Sequence, residues 1–301
     1  MRTMQRRQAV IFFLIAALLA GPAACSPRPE PSPAPAASPL PPTETFVPTT
    51  TPAPPTPTPP TPTPGCSAPG TLEPQQLTSA SMPAPLRFLV YLPPCYAERT
   101  DLRYPVLYLF HGAFADEYQW ARLGAPAAAD RLTASGEIPP FIIVMPFDPY
   151  TSQPYEYGFD EAVLRDLLPY VDSHYRTLPD RTRRAVGGLS RGSSWALHFG
   201  LSRPELFGEI GMHSPVIFAS DGLLVEKWLD IIPPERMPLF YLDISENDPN
   251  LQKSRWLENI LTARGIPHEW HLNTGFHDET YWAAHVEEYL RWYAQGWAAS
   301  P

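Results

Sequence analysis

The feature that most limits what this chain can fold into is a change in composition near residue 65. Between Ser26 and Pro64, 17 of the 39 residues are proline, most of the others are Ala, Ser or Thr, and Phe46 is the only aromatic residue. A segment of this kind cannot bury enough apolar surface to offset the conformational entropy lost on folding. We therefore predict a disordered, polyproline-like linker over residues 26–64 and one folded domain over residues 65–301.

The first 25 residues have the order of an export signal. Three arginines within the first seven residues precede an unbroken apolar run from Ala9 to Ala20. As a helix this run spans roughly 18 Å at about 1.5 Å per residue, which is too short for a bilayer core of about 30 Å. The small residues and the cysteine of Ala23-Ala24-Cys25 follow, although Pro22 stands where lipoprotein signals usually carry an aliphatic residue. We predict export, with Cys25 as a lipidation site that resembles those of bacterial lipoproteins.

Charge and cysteine content narrow the function classes further. The formal net charge is −9, and the cations form no basic stripe, so nucleic-acid binding is not expected. Cys66 and Cys95 are the cysteines that remain in the exported domain, and an oxidising compartment favours a disulfide between them. Two free thiols are the alternative. The cysteines and histidines have no zinc-site spacing, so we predict no metal and no cofactor.

Apolar runs and helical patterns alternate along the domain. Leu86–Leu92 alternates in hydropathy and predicts an early antiparallel strand. Continuous or shorter apolar runs predict strands over residues 105–110, 141–145, 183–187, 239–243 and 267–272. Helices are predicted over residues 127–135, 159–175, 190–202, 221–229, 251–264 and 279–293. This alternation predicts an α/β fold with a mostly parallel central sheet and helices on both faces. Ligands of such sheets bind at the carboxyl ends of the strands.

The segment Gly188-Leu-Ser-Arg-Gly192 matches the pattern G-x-S-x-G. The pattern alone is weak, but here a predicted strand leads into it and a predicted helix leads out of it. That context is typical of the nucleophile elbow of the α/β-hydrolase fold, in which a strained turn raises a serine hydroxyl above the sheet. We predict that Ser190 is a nucleophile. The alternative is that Ser190 only caps a glycine-rich helix start.

A serine hydroxyl needs a base to remove its proton, and in this fold the chain order is serine, acid, histidine. Four histidines lie close enough to the C-terminus, at positions 268, 271, 277 and 285. His268 and His271 lie in a predicted strand, and His285 lies inside the last predicted helix. His277 lies in a glycine-containing loop between that strand and that helix, where a base can project over the sheet. We predict His277 as the base.

The acid should follow the strand predicted at residues 239–243. Asp243, Glu246 and Asp248 are available there. We favour Asp248 because it lies well into the loop and can reach the imidazole, whereas Asp243 is closer to the strand and can serve a structural role. Asp278 adjoins His277 in sequence, which is poor geometry for orienting that ring.

The oxyanion hole needs two backbone N–H groups directed at the developing negative charge. One should come from the residue after the nucleophile, Arg191, and the other from the loop after an early strand. That loop is Phe110-His-Gly-Ala-Phe114, and we predict Ala113 as the donor, with Phe114 as the alternative. His111 precedes Gly112 at the strand end, so we expect it to position the loop through a hydrogen bond.

Together these residues resemble the putative-esterase family of α/β-hydrolases. The family includes feruloyl and acetylxylan esterases, S-formylglutathione hydrolases, enterochelin esterases and the mycobacterial mycolyltransferases. The resemblance covers about residues 86–293, and it implies Ser190, Asp248 and His277 as a catalytic triad. It rests on Tyr104–Gly112 with Trp120, Tyr175–Thr177, Arg183–Ser190, Asn247–Asp248, and Gly275–Asp278 with Trp282.

The departures from the family pattern are informative. Members usually read G-L-S-M-G-G, whereas this chain has Arg191 for the methionine and Ser193 for the second of the final glycines. The backbone N–H of residue 191 survives the change, and we expect the arginine side chain either to alter packing or to meet an anionic substrate group. We expect aromatic residues, including Trp120 and Trp282, to line a substrate pocket.

These observations predict a serine carboxylesterase that hydrolyses an extracellular ester through an acyl-enzyme intermediate. A small-molecule ester or an acylated or feruloylated polysaccharide is the expected substrate. An acyltransferase of the mycolyltransferase type, a peptidase, and a catalytically silent binding module tethered at the surface are the alternatives. The predicted location is extracellular or at the cell surface, with the membrane contacted only through a lipid anchor at Cys25.

Overall fold

In a computed structural model, residues 68–297 of the chain are described. The predicted export signal with Cys25, the predicted linker and Cys66 lie outside these residues. The disulfide predicted between Cys66 and Cys95 therefore stays a prediction. The bounds predicted for the signal, the linker and the domain stay predictions as well.

Within residues 68–297, eight strands form one sheet in the order β1-β2-β4-β3-β5-β6-β7-β8. Strand β2 pairs antiparallel with β1 and β4, and every other neighbouring pair is parallel. The central strands are buried on both faces, as their apolar runs predicted. The strands are β1 Thr71–Leu77, β2 Leu86–Leu92, β3 Val106–Phe110, β4 Ile142–Pro146, β5 Arg184–Leu189, β6 Glu209–His213, β7 Leu239–Ser245 and β8 His268–Asn273.

Helices cover both faces of the sheet. The α-helices are α1 Gln119–Arg122, α2 Ala125–Ala134, α3 Phe159–Ala162, α4 Leu168–His174, α5 Arg191–Ser202, α6 Ala219–Gly222, α7 Val225–Ile231, α8 Leu251–Ala263 and α9 Glu279–Gln295. Short 3₁₀ turns lie at Arg181–Arg183 and Pro234–Arg236. One core contains apolar residues of α3, α4, α5, α7 and α8, and the other contains those of α1, α2 and α9. The predicted α/β-hydrolase architecture is confirmed.

The helix predicted over residues 159–175 is continuous to His174 but changes its hydrogen-bond pattern in the middle. Residues Val163–Leu167 form a π-helical turn between α3 and α4. Pro169 lies in the first turn of α4. Because proline has no N–H and its ring collides with the carbonyl four residues earlier, the wider turn accommodates it without ending the helix.

Two strands and one short helix were not predicted from the sequence. Strand β6 has only five residues, Glu209-Ile-Gly-Met-His213. All five are buried, but the polar residues at both ends leave no apolar run in the sequence that would predict a strand. Strand β1 contains Pro74, which a strand tolerates at a sheet edge. Helix α1 has only four residues, which is too few to produce an amphipathic pattern.

Candidate active site

The three residues predicted as a triad lie at one edge of the sheet. Ser190 follows β5, Asp248 follows β7 and His277 follows β8. These strands are parallel, so their carboxyl ends meet at the same edge. The fold therefore brings together side chains that are up to 87 residues apart in the sequence.

Ser190 lies in a sharp turn between β5 and α5. Its backbone has φ 51° and ψ −122°, a conformation that residues other than glycine rarely adopt. A Cβ atom on Gly188 would lie 2.3 Å from the backbone of Gly192, and one on Gly192 would lie 2.1 Å from the carbonyl oxygen of Phe110. Both glycines are therefore required by space, and the turn raises the serine hydroxyl at the start of α5.

The side chains of Ser190, His277 and Asp248 form a continuous hydrogen-bonded chain. The Nε2 atom of His277 lies 2.9 Å from the Ser190 hydroxyl oxygen. The Nδ1 atom lies 2.6 Å from Oδ2 of Asp248. Because the carboxylate only accepts, Nδ1 carries a proton, and Nε2 of the neutral ring is left to accept the serine proton. This arrangement is the one that general-base activation of a serine requires.

The carboxyl group of Asp248 is held in its ionised form. Burial raises the pKa of Asp248. Hydrogen bonds from His277, the backbone N–H of Asn250 and the Ser214 hydroxyl lower it by more than burial raises it, so the pKa lies below its ordinary value. The Asp248 side chain is 0% exposed and the His277 side chain is 23% exposed. The acid is thus shielded while the imidazole remains open towards solvent.

Four of the other candidate bases and acids have hydrogen-bond partners other than Ser190 and His277. His268 bonds the carbonyl of Ile266, and His285 bonds the carbonyl of Tyr281 one turn earlier on α9. His271 lies 3.2 Å from Glu269 on its own strand. Asp278 caps α9 by accepting from the Tyr281 backbone N–H.

Asp243, the alternative acid, forms a fully buried pair with another histidine, His213. Its Oδ1 atom lies 2.7 Å from Nδ1 of His213. Its Oδ2 atom accepts hydrogen bonds from the hydroxyls of Tyr281 and Tyr289 at 2.8 and 2.7 Å. His213 was not predicted from the sequence, because the short strand β6 that carries it was not predicted.

The loop after β3 lies directly beside the serine. A Cβ atom on Gly112 would be 3.6 Å from the Cβ of Ser190. The Gly112 backbone N–H donates to Oε1 of Gln119 at 2.8 Å, so it is not available to a substrate. Neither Ala113 nor Phe114 has a hydrogen bond from its backbone N–H to another part of residues 68–297. This leaves the predicted donor, Ala113, and its alternative, Phe114, available at the site.

His111 holds this loop through hydrogen bonds, as the sequence led us to expect. Its Nε2 atom accepts from the backbone N–H of Asp148 at 2.9 Å. The opposite nitrogen, Nδ1, must then carry the proton, and it lies 2.7 Å from the carbonyl oxygen of Gly112. Burial lowers the pKa of His111, against the opposing effects of Gly112 and nearby carboxylates, which favours this neutral ring.

The side chain of Arg191 turns away from the serine hydroxyl and forms an ion pair with Asp148. Its Nη2 and Nε atoms lie 2.8 and 3.1 Å from Oδ2 of Asp148, and Nη2 also donates to the carbonyl of Ser152. The Arg191 and Asp148 side chains are 12% and 4% exposed. Of the two roles expected for this arginine, the structure therefore shows the packing role.

Two aromatic residues expected in the substrate pocket have other contacts. Trp120 is 1% exposed, and its indole N–H donates to the carbonyl of Phe110. The structure therefore corrects the expectation that Trp120 contacts the substrate, because no face of its ring is accessible. Trp282 is 5% exposed, donates to the Ser214 hydroxyl, and lies edge-on to the His277 ring at 5.1 Å. Its burial assigns it to supporting the imidazole rather than to contacting a substrate.

An open, mostly apolar cavity of about 360 Å³ lies between the segment after β6 and the start of α8. Its walls come from the segment after Ser214 and from the start of α8, just after Asp248. Phe218 in its wall lies 4.9 Å from the guanidinium of Arg191, the residue next to the nucleophile. The lining residues are Ile217, Phe218, Ala219, Gly222, Gln252, Lys253 and Trp256.

Two exposed aromatic side chains flank the candidate catalytic residues. Phe114, at the end of the loop after β3, is 94% exposed and has φ 63°. Phe276, directly before His277, is also exposed. Within residues 68–297, no group of three or more His, Cys, Asp or Glu side chains is placed to hold a metal ion. No helix in the same residues is long and apolar enough to cross a membrane.

Comparison with known families gives one match over most of the chain. The family described as putative esterase matches residues 79–293. This range includes all three residues of the hydrogen-bonded chain and the loop after β3.

Two curated relatives match over shorter segments. An endo-1,4-beta-xylanase/feruloyl esterase of Xylanibacter ruminicola is 36% identical over 138 residues, which cover 42% of this chain and 19% of the relative. A Mycobacterium tuberculosis protein named as an esterase is 33% identical over 152 residues, 47% of this chain and 32% of the relative. The chain thus spans less than one third of the length of these two relatives.

Solved structures share the fold over about three quarters of the chain. A ferulic acid esterase superposes with a TM-score of 0.69 at 23% identity, over 76% of this chain and 98% of the other. An S-formylglutathione hydrolase from Agrobacterium tumefaciens gives a TM-score of 0.60 at 17% identity, over 75% of this chain and 95% of the other. At these identities the likeness concerns the fold.

Proposed function

Because the chain belongs to the putative-esterase family, we propose that it is a serine carboxylesterase that uses Ser190, His277 and Asp248 as its catalytic triad. The observation that carries this proposal is the hydrogen-bonded chain from Asp248 through His277 to Ser190, with distances of 2.6 and 2.9 Å. The strained backbone of Ser190 supports it, since such strain is typical of a nucleophile elbow.

The reaction proceeds in two acyl-transfer steps. His277 takes the proton of Ser190 through Nε2 while the serine oxygen attacks the ester carbonyl carbon. The tetrahedral intermediate collapses when His277 returns this proton to the leaving alcohol oxygen, and the acyl group stays on Ser190. Water, deprotonated by the same imidazole, then attacks the acyl-enzyme carbonyl carbon. The second tetrahedral intermediate collapses when His277 returns this proton to the Ser190 oxygen, and the acid is released. Asp248 keeps the ring oriented and stabilises the imidazolium in both steps.

The negative charge of each tetrahedral intermediate is stabilised by backbone N–H groups. Arg191 supplies one because it is the first residue of α5, where the N–H groups have no partner within the helix. Ala113 supplies the other from the loop beside Ser190. The positive end of the α5 dipole adds to this stabilisation.

The substrate class we propose is an ester of an aromatic or apolar acid, carried by a small molecule or a polysaccharide. The mostly apolar cavity that Phe218 and Trp256 line has room for an aromatic acyl group. Exposed Phe114, in the loop beside Ser190, and exposed Phe276, next to His277, offer flat apolar faces of the kind on which sugar and phenol rings stack. The relative from Xylanibacter ruminicola, named a xylanase/feruloyl esterase, supports the same class.

We also propose that the enzyme works outside the cytoplasm. The basic, apolar and small residues of positions 1–25 support export, and Cys25 supports a lipid tether. The proline-rich residues 26–64 would then hold the catalytic domain at up to roughly 120 Å from the membrane, at about 3.1 Å per residue.

Hydrolysis of a series of 4-nitrophenyl and methyl esters, from acetate to ferulate, tests this function. We expect release of the free acid, with kcat/KM at least about tenfold higher for the feruloyl ester than for an aliphatic acyl group of similar length. Ser190→Ala is the matched control and should reduce turnover to background. Equal turnover by wild type and Ser190→Ala would overturn the proposal. Transfer of the acyl group to an added alcohol in place of hydrolysis would favour the acyltransferase alternative.

A further inference from the structure

The two proposed oxyanion donors come from separate parts of the chain. The N–H of Ala113 belongs to the loop after β3, and the N–H of Arg191 begins α5. Both must point at one oxygen atom with an accuracy of a few tenths of an ångström for the charge to be stabilised. A group that bonds to both parts would fix their relative position.

His111 fixes the first donor by holding the opposite end of the same peptide group. The carbonyl of Gly112 and the N–H of Ala113 belong to one planar peptide unit. A hydrogen bond from Nδ1 of His111 to that carbonyl therefore sets the direction of the Ala113 N–H. His111 is in turn held by the backbone N–H of Asp148, which donates to Nε2.

The carboxylate of Asp148 fixes the second donor. Its Oδ2 atom accepts from Nε and Nη2 of Arg191 and from the indole N–H of Trp195, at 3.1, 2.8 and 2.8 Å. Arg191 and Trp195 are the first and fifth residues of α5. One buried carboxylate is thereby attached to two positions on the first turns of the helix that begins at the nucleophile.

We propose that Asp148 is a positioning residue of the oxyanion hole. Its backbone orients the Ala113 N–H through His111, and its carboxylate orients the Arg191 N–H through the arginine side chain. This inference rests on the proposed esterase function and extends it to a residue that does not touch the substrate. Asp148 lies two residues beyond β4, at the same edge of the sheet as the triad.

The arrangement has a kinetic signature. The oxyanion exists in the tetrahedral transition state and not in the bound ester, so loss of its alignment lowers kcat and leaves KM nearly unchanged. A trifluoromethyl ketone, which forms a tetrahedral oxyanion with the serine, should lose affinity by the same factor as kcat. Removal of a whole donor costs about 10²- to 10³-fold, so misalignment of a donor that is still present should cost less.

The test compares Asp148→Asn with Asp172→Asn in the full chain. Asp172 forms an ion pair with Arg184 at 2.6 Å, and Arg184 is the first residue of β5, at the opposite end of that strand from Ser190. We expect Asp148→Asn to lower kcat for 4-nitrophenyl acetate about tenfold and to raise the Ki of the ketone about tenfold, with KM within about twofold. Asp172→Asn should leave kcat and Ki within about twofold while it lowers Tm.

A second pair of variants separates misalignment from misfolding. Arg191→Met keeps the backbone N–H and removes the guanidinium, and the double variant with Asp148→Asn leaves no unpaired buried charge. If Asp148 acts through Arg191, the fold-loss in kcat of the double variant should be smaller than the product of the two single losses, and no more than about tenfold. A double variant whose loss equals the product of the two single losses would overturn the proposal.

The outcomes also distinguish this inference from the function on which it rests. Unchanged kcat and Ki in Asp148→Asn, in a wild type that hydrolyses the ester through Ser190, would overturn the positioning role alone. A wild type that is no more active than Ser190→Ala would overturn the esterase function, and the positioning role with it.

Discussion

Of the histidine–aspartate pairs within residues 68–297, the two at the carboxyl end of the sheet near Ser190 differ in what surrounds them. His277 lies 2.6 Å from Asp248, and His213 lies 2.7 Å from Asp243. In the first pair the second ring nitrogen faces the Ser190 hydroxyl, and the imidazole is partly exposed. In the second pair the other nitrogen lies 3.1 Å from the Tyr293 hydroxyl, and both side chains are fully buried.

A histidine–aspartate pair is therefore not sufficient to make the histidine a general base. Burial raises the pKa of Tyr293 well above its ordinary value, so its hydroxyl remains a donor to His213. The lone pair of that ring is already used, and no substrate can reach it. His213 and Asp243 therefore act as a buried polar brace between β6, β7 and α9, whereas His277 and Asp248 keep one lone pair for the serine proton.

Replacement of the two histidines should give the largest contrast. We expect His277→Gln to lower kcat by about 10⁴-fold or more, with Tm within about 2 °C of wild type, because the serine loses its base. His213→Gln should lower the free energy of unfolding by about 3 kcal/mol and leave kcat of the folded protein within about threefold. Steady-state kinetics and urea unfolding of both variants check this. Similar kcat losses in the two variants would break the distinction between the pairs.

Replacement of Asp248 and Asp243 should give the same contrast between loss of kcat and loss of stability, with a smaller loss of kcat. We expect Asp248→Asn to lower kcat by about 10³- to 10⁴-fold, since Nδ1 of His277 loses the acceptor that fixes its tautomer. Asp243→Asn should destabilise the fold by about 3 kcal/mol, because it disturbs the acceptor of two tyrosine hydroxyls and one imidazole. Kinetic assays at a temperature where both variants are folded make the comparison. A triad role for Asp243 would appear as a kcat loss that exceeds that of Asp248→Asn.

A pH titration should separate the stability of the buried interior from the activity of the open site. Burial raises the pKa of Glu209 from 4.5 to about 8, although Arg183 opposes the shift. The folded state then holds a proton that the unfolded chain releases above about 4.5, so the free energy of unfolding falls as the pH rises from about 4.5 to about 8.

Glu209→Gln should remove this pH dependence. The variant should gain stability over wild type at pH 8 relative to pH 5, by up to a few kcal/mol at about 1.4 kcal/mol per pKa unit. Urea unfolding at the two pH values measures the gain. Its kcat should stay within about twofold, because Glu209 lies at the opposite end of β6 from the active site. An equal change in stability at both pH values would contradict the burial of this carboxyl.

The smallest effect should come from a single hydroxyl of the buried brace. Tyr293→Phe removes the donor to His213 and should cost about 1 kcal/mol of stability, with no change in kcat. The glycines at positions 187 and 211 leave room for this hydroxyl, since an added Cβ at either would lie 1.8 Å from it. Thermal unfolding beside an ester assay measures both quantities. A kcat loss of tenfold would show that the two pairs are coupled.

Much of the fold could be predicted because its signals are local. Long apolar runs such as β3 and the amphipathic pattern of α9 determine their elements within a short window of sequence. The predicted α/β-hydrolase fold and the family resemblance are both confirmed. Strand β6 was missed because its burial comes from neighbours on both sides of the sheet and leaves no apolar run in its own five residues.

The candidate site was predictable only where chain order constrains it. The order of serine, acid and histidine led to Ser190, Asp248 and His277, and the roles of these residues remain predictions. Asp148 was missed because its contacts with His111 and Arg191 are made across three loops. Its place just after a parallel strand is the one sequence signal that could have indicated it. Both tryptophans that were expected to contact the substrate are buried, and sequence alone does not distinguish a buried ring from a ring that lines a pocket.

Labelling with a fluorophosphonate probe tests whether Ser190 is an activated nucleophile, because the probe reacts with an activated serine. We expect one labelled site, at Ser190, by peptide mass spectrometry. We also expect labelling about 10³-fold slower in His277→Gln and near the wild-type rate in His213→Gln. Labelling that persists in Ser190→Ala, or that depends on His213 as strongly as on His277, would contradict the proposed triad.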